Sequence, residues 1–147
     1  MKGIITTLLI FCFFLISSCK KYEDGPSFSL NSKRTRLANK WKVETFFING
    51  NDKTDFYRTL VLKETLEIFK SGTWQYSETS NWTWAKPYDT GKWNFIDHKE
   101  DVEMISDDPS IPYKLFRILK LKSTELWLER TVTPDSIIEF HYVPQLD

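Results

Sequence analysis

The chain has 147 residues, 41% of them hydrophobic and 27% charged. That is the balance of one folded domain rather than of a disordered chain. Lys+Arg and Asp+Glu each number 20, which removes the basic footprint a nucleic-acid binder needs. Two cysteines exclude a disulfide-dense scaffold or a multi-cysteine metal site, and five glycines leave little for a glycine-rich phosphate loop.

The first element is a targeting segment. Lys2 supplies one positive charge, and residues 4–16 form an almost unbroken apolar run. The run is short of the about 20 residues that span a membrane, and fits the apolar region of a secretory signal. Leu15-Ile16-Ser17-Ser18-Cys19 follows. This stretch resembles the lipobox of bacterial lipoproteins. The resemblance implies a signal peptide over residues 1–18, cleavage before Cys19, and lipidation of the Cys19 thiol and the new amine (palmitate among the acyl chains). Cleavage would remove Lys2 and Cys12, leaving Cys19 as the only cysteine, so the mature chain is expected to hold no disulfide. Several acyl chains on one residue anchor a protein stably, which one short chain does not.

Residues 19–29 read as a lipidated tether, polar and broken by Gly25-Pro26. Its acidic pair Glu23-Asp24 resembles surface-export signals of some Gram-negative lipoproteins. Ser32 is placed to cap a short helix through Leu37 and Ala38.

From there on, the period is two. Trp41 and Val43 begin a strand that ends at Asn49-Gly50, a hairpin-turn dipeptide. Leu60, Leu62, Leu66 and Ile68 share one parity before Ser71-Gly72. Trp74 and Tyr76 share a parity with Trp82 and Trp84, across the polar run 77–81. Trp93 and Phe95 alternate after Gly91, and Val102 and Met104 alternate with acids. Asp107-Asp108-Pro109 is a turn. Residues 113–122 are mixed and suggest a bulge. Leu126 and Leu128 alternate, Thr133-Pro134-Asp135 turns the chain, and Ile138, Phe140 and Tyr142 close the pattern opposite Glu139 and His141. The prediction for residues 30–147 is an all-β domain, an up-and-down antiparallel barrel of about eight strands with a short N-terminal helix.

Asn39-Lys40-Trp41-Lys42-Val43, Lys70-Ser71-Gly72-Thr73-Trp74, Gly91-Lys92-Trp93-Asn94-Phe95, Ile118-Leu119-Lys120-Leu121 and Glu125-Leu126-Trp127-Leu128 occur in that order. Together they resemble the small lipocalin-like lipoproteins of Gram-negative bacteria. The resemblance implies a barrel fixed by lipid to the outer membrane, on its periplasmic or surface face. Lipocalins usually open the first strand with Gly-x-Trp, and here Asn39 stands in the glycine place.

Residues with catalytic chemistry are sparse. His98 sits in an acidic run that reads as a solvated hairpin, and His141 shares the outward face with Glu139. Asn81-Trp82-Thr83 matches a glycosylation sequon, read as chance in a bacterial lipoprotein. No catalytic, metal or cofactor site is predicted, and the chain is read as a non-enzyme. The informative residues are aromatic. Trp74, Tyr76, Trp82, Trp84, Trp93 and Phe95 read first as the aromatic core of a small barrel; the sharper reading takes Trp82, Trp84, Trp74 and Tyr76 as the predicted ligand-binding set, with Trp82 and Trp84 at a barrel rim beside Lys86-Pro87. The functional expectation is a monomeric, lipid-anchored binder of a small apolar or amphipathic molecule. The alternative is an interaction lipoprotein with a filled barrel that contacts protein or glycan.

Overall fold

A computed structural model describes residues 31–80 and 88–146. In chain order these form α1 (Lys33–Leu37), β1 (Lys40–Ile48), β2 (Asn51–Asp52), α2 (Thr54–Leu60), β3 (Val61–Ile68), β4 (Thr73–Ser80), β5 (Tyr88–Ile96), a 3-10 turn (Asp97–Lys99), β6 (Asp101–Ser106), β7 (Lys114–Leu121), β8 (Leu126–Thr133) and β9 (Ser136–Pro144). Every long strand pairs antiparallel with its sequence neighbour, and β9 returns to β1 from Trp41↔Pro144 to Ile48↔Ile138. The chain is therefore a closed up-and-down barrel of eight long strands, as the two-residue period predicts. Closure removes the exposed sheet edges that invite aggregation.

One end of the barrel is packed solid. Ser32 caps α1 as its position predicts, accepting the Thr35 N–H on its hydroxyl at 3.2 Å. The helix lays Leu37 against a floor made of Trp41, Val102, Leu121, Leu126 and Leu128. Trp41 is fully buried, and its indole N–H donates to the Leu37 carbonyl at 2.9 Å. Arg34 stacks over the Trp93 ring at 4.5 Å and donates to the Lys70 carbonyl at 2.8 Å, tying α1 to the β3–β4 turn. Asn39 uses its side chain locally: Oδ1 accepts the Lys40 N–H and Nδ2 donates to the Ser123 carbonyl.

At the other end β1 and β3 part. They pair only at Lys40↔Glu67 and Trp41↔Leu66. Beyond that point the backbone groups of β1 on this side need other partners. The Val43 N–H donates to Glu64 Oε1, Arg58 donates to the Glu44 carbonyl, and the Phe46 N–H donates to the Thr54 hydroxyl. The Lys53 N–H donates to the Phe46 carbonyl. The helix α2 thus fills the gap that the diverging strands leave.

Two local expectations change. Asn49-Gly50 does make the tight hairpin turn, with both residues at positive φ (50° and 74°), but the returning strand is only β2 and leads into α2. Leu60 therefore ends a helix, and Leu62 is 61% exposed, because the register shifts between Val61 and Lys63. Only Leu66 and Ile68 of that series point inward. Within the polar run, Ser77, Glu78 and Thr79 pair with Thr65, Glu64 and Lys63 as part of β4. The bulge suggested for residues 113–122 is present between Ile118 and Lys120.

Candidate functional site

The strand ends away from α1 surround a half-open pocket of about 320 Å³. That volume is within the usual range of small-molecule sites, about 300–1,000 Å³. The period-two alternation aims every second side chain at it. Leu66, Trp74, Met104, Phe116, Ile138 and Phe140 form its apolar wall. Trp74 is held by its indole N–H on the Lys92 carbonyl at 3.0 Å, and lies across Gly91. A Cβ on Gly91 would stand 2.9 Å from the Trp74 Nε1, so a glycine is required beneath the ring.

The cavity also has a polar wall, and this was not anticipated from the sequence. Glu64 on β3 follows the inward parity of Leu66 and Ile68, and Glu78 on β4 follows that of Trp74 and Tyr76. Tyr57 reaches in from α2 and donates its phenol to Glu64 Oε2 at 2.5 Å. The Tyr76 phenol lies 3.1 Å from the same oxygen and 2.5 Å from Glu78 Oε2. Burial drives the Glu64 carboxyl above its ordinary range, against the hydrogen bonds from Tyr57, Tyr76 and the Val43 N–H that favour its charged form. Burial and the neighbouring Glu64 charge push the Tyr57 and Tyr76 phenols up as well, so both stay protonated donors. Lys114 on β7 and Arg130 on β8 line the opposite side. In the order of an eight-stranded barrel, β7 and β8 stand across from β3 and β4.

An aromatic cluster supports this wall from α2 and β9. Phe46 meets Tyr57 at 4.7 Å and Phe140 at 5.0 Å between ring centroids. Tyr57 and Glu64 also border a groove on the outside of the barrel, where β1 and β3 diverge. Their side chains stand between that groove and the interior.

Of the predicted ligand-binding set, Trp74 and Tyr76 line the cavity together. Trp82 and Trp84 lie outside the described residues, as do Cys19, the signal segment and the tether. The strand residues that lead towards and away from residues 81–87, Glu78 and Asp89, both border the cavity.

The two histidines are elsewhere. His98 is exposed in the 3-10 turn, where Asp97, His98 and Lys99 all have positive φ. His141 is on the outer face, paired to Glu139 at 2.5 Å and stacked on Trp127 at 3.9 Å. Asp108 caps its own loop, accepting the Ser110 N–H at 2.9 Å and hydroxyl at 2.6 Å. Among the described residues no three His, Cys, Asp or Glu side chains converge as a metal site, and no helix is long and apolar enough to cross a membrane. Compared with known proteins, the chain matches no family model and no curated sequence.

Proposed function

We propose that this protein is a lipid-anchored binding protein of the bacterial cell envelope, fixed to the outer membrane through Cys19. It holds a small amphipathic molecule inside the loop end of the barrel. The observation that carries the reading is the cavity itself: one end of the barrel is filled by α1 and the tryptophan floor, while the other keeps about 320 Å³ between Trp74, Tyr76 and Phe140. A half-open pocket that joins an apolar wall to a fixed polar network has the make-up of a small-molecule site. Export and lipidation rest on the apolar run and Leu15-Ile16-Ser17-Ser18-Cys19. An anchor of that kind holds a carrier where amphipathic molecules partition.

Native mass spectrometry of the protein purified from its own membranes tests the binding role. The expected result is a population heavier than the lipidated chain by one small organic molecule, released on unfolding. A single species at the mass of the lipidated chain, with no small molecule recovered after unfolding, speaks for the filled-barrel interaction protein instead.

A further inference from the structure

Exposed apolar side chains are not spread evenly over the barrel. Among the described residues ten large ones are exposed, and eight of these gather at the open end. Leu62 of β3, Tyr88 of β5, Ile105 of β6, Leu115 of β7, Val132 of β8 and Ile137 of β9 each stand within two residues of the mouth end of their strand. Tyr113, just before β7, and Phe56, on α2, complete the set, and the eight are 40–61% exposed. The other two are Phe69, in the β3–β4 turn, and Leu146, which follows β9. The turns of the closed end expose Lys70, Ser71, His98, Lys99, Ser123 and Thr124 instead.

Single exposed apolar residues are ordinary, whereas a connected set of them marks a contact surface. This set surrounds the mouth. A flat surface laid across the mouth meets all of it, while a partner on one flank would meet only part. Charges of both signs stand at the same end: Lys53, Arg58 and Lys63 beside Asp55, Asp107 and Asp135. They give no preference for a charged surface. Mixed charges around apolar side chains, with Tyr88 and Tyr113 among them, suit a shallow contact at the headgroup depth of a neutral bilayer.

The anchor read from the sequence keeps such a bilayer within reach. Residues 20–30 separate Cys19 from Asn31 at the closed end. At about 3.3–3.6 Å per residue that span extends to about 40 Å at most. The nine-residue strands β1, β5 and β9 are about 30 Å long at about 3.3 Å per residue. The span is therefore long enough to run the height of the barrel, although it joins the domain at the far end from the mouth. Tethering also raises the effective concentration of lipid at the mouth, so a contact that is weak by itself is populated.

Resting on the anchored binding role above, we propose that the barrel docks mouth-down on the zwitterionic lipid surface that holds Cys19. Docked so, the pocket between Trp74, Tyr76 and Phe140 opens onto lipid, the phase in which an amphipathic ligand partitions.

Depth-dependent fluorescence of the full lipidated chain in phosphatidylcholine–phosphatidylethanolamine vesicles tests this. Lipid occupies the Cys19 thiol, so Leu62→Cys, Tyr113→Cys and Thr124→Cys each offer one thiol to an environment-sensitive fluorophore. Leu62 and Tyr113 stand on opposite sides of the mouth, and Thr124 is at the closed end. Both mouth probes are expected to shift to the blue and lose emission when lipid spin-labelled near the headgroup is included, and the Thr124 probe to do neither. Ile105→Cys and Ile137→Cys repeat the measurement should either mouth variant fail to fold. If no mouth probe is quenched, if only one side is, or if Thr124 is quenched in their place, the docking is overturned, while flotation of the chains with the vesicles still upholds the anchor. A blue shift without lipid quenching that grows with the number of chains per vesicle assigns the mouth to a second copy and also overturns it. Chains that do not float with the vesicles bring down the anchored reading and the docking together.

Discussion

Glu64 accepts the Val43 N–H at 3.3 Å, at the point where β1 and β3 stop pairing. One carboxylate thus replaces a backbone acceptor missing from the barrel wall and, through its other oxygen, anchors the polar side of the cavity. The opening in the sheet and the polarity of the site have a common origin in the divergence of these two strands.

Glu64 should leave a signature in the pH dependence of stability. Its folded-state carboxyl titrates above the ordinary range because it is buried. The folded protein therefore holds this proton at pH values where the unfolded chain has lost it. The associated stability is complete below the unfolded value, about 4.3, and is lost as pH rises through the folded one. Urea midpoints measured from pH 4 to 8 should fall across that window in the wild type, and more shallowly in Glu64→Gln. Equal slopes would mean that Glu64 is solvated.

Trp41 holds the closed end. Its ring is fully buried and its indole N–H is bonded to Leu37. Trp41→Ala removes the ring and frees α1, and should cost about 3–5 kcal/mol, seen as a large drop in the urea midpoint. Trp93→Ala should cost a comparable amount, since that ring is buried under Arg34 and bonded to the Phe69 carbonyl. A shift within error for Trp41→Ala would contradict the packing of the floor.

Gly91 and Gly50 are both needed, for different reasons. A Cβ at Gly91 would fall 1.9 Å from the Ile105 carbonyl oxygen, so Gly91→Ala must push β5 from β6. Gly50 has open space around it but sits at φ +74°. Gly50→Ala should cost only the left-handed penalty, about 1 kcal/mol, and Gly91→Ala about 3 kcal/mol or more. Thermal melts of the two variants check the order, and a reversal would argue against the β5–β6 register.

Cys19→Ser tests the anchor. Palmitate labelling should disappear and the protein should leave the membrane fraction. Continued labelling of Cys19→Ser would overturn the lipobox reading.

Alternation in the sequence made the barrel legible, because inward residues such as Trp74, Trp93, Leu128 and Phe140 are large and their neighbours polar. The same habit hid the site. Glu64 and Glu78 occupy inward positions by parity, yet a charged residue in a strand reads as solvated, and Glu78 sits in a polar run. Helix α2 is too short for an apolar period to show. Its signals are local instead: Asp52, one residue before the N-cap Lys53, accepts the Thr54 N–H at 2.8 Å, and Asp55 stands in the first turn. A bulge at Val61–Lys63, invisible in a period-two pattern, is what turned Leu62 outwards.

Occupancy of the pocket is tested by a crystal structure of the protein isolated from its own membranes, without added ligands. Non-protein density is expected between the Tyr76 phenol and the Phe140 ring, continuous with the Glu64 carboxylate. An interior in which Phe116, Phe140 and Tyr76 close on one another, leaving no space between them, would contradict it.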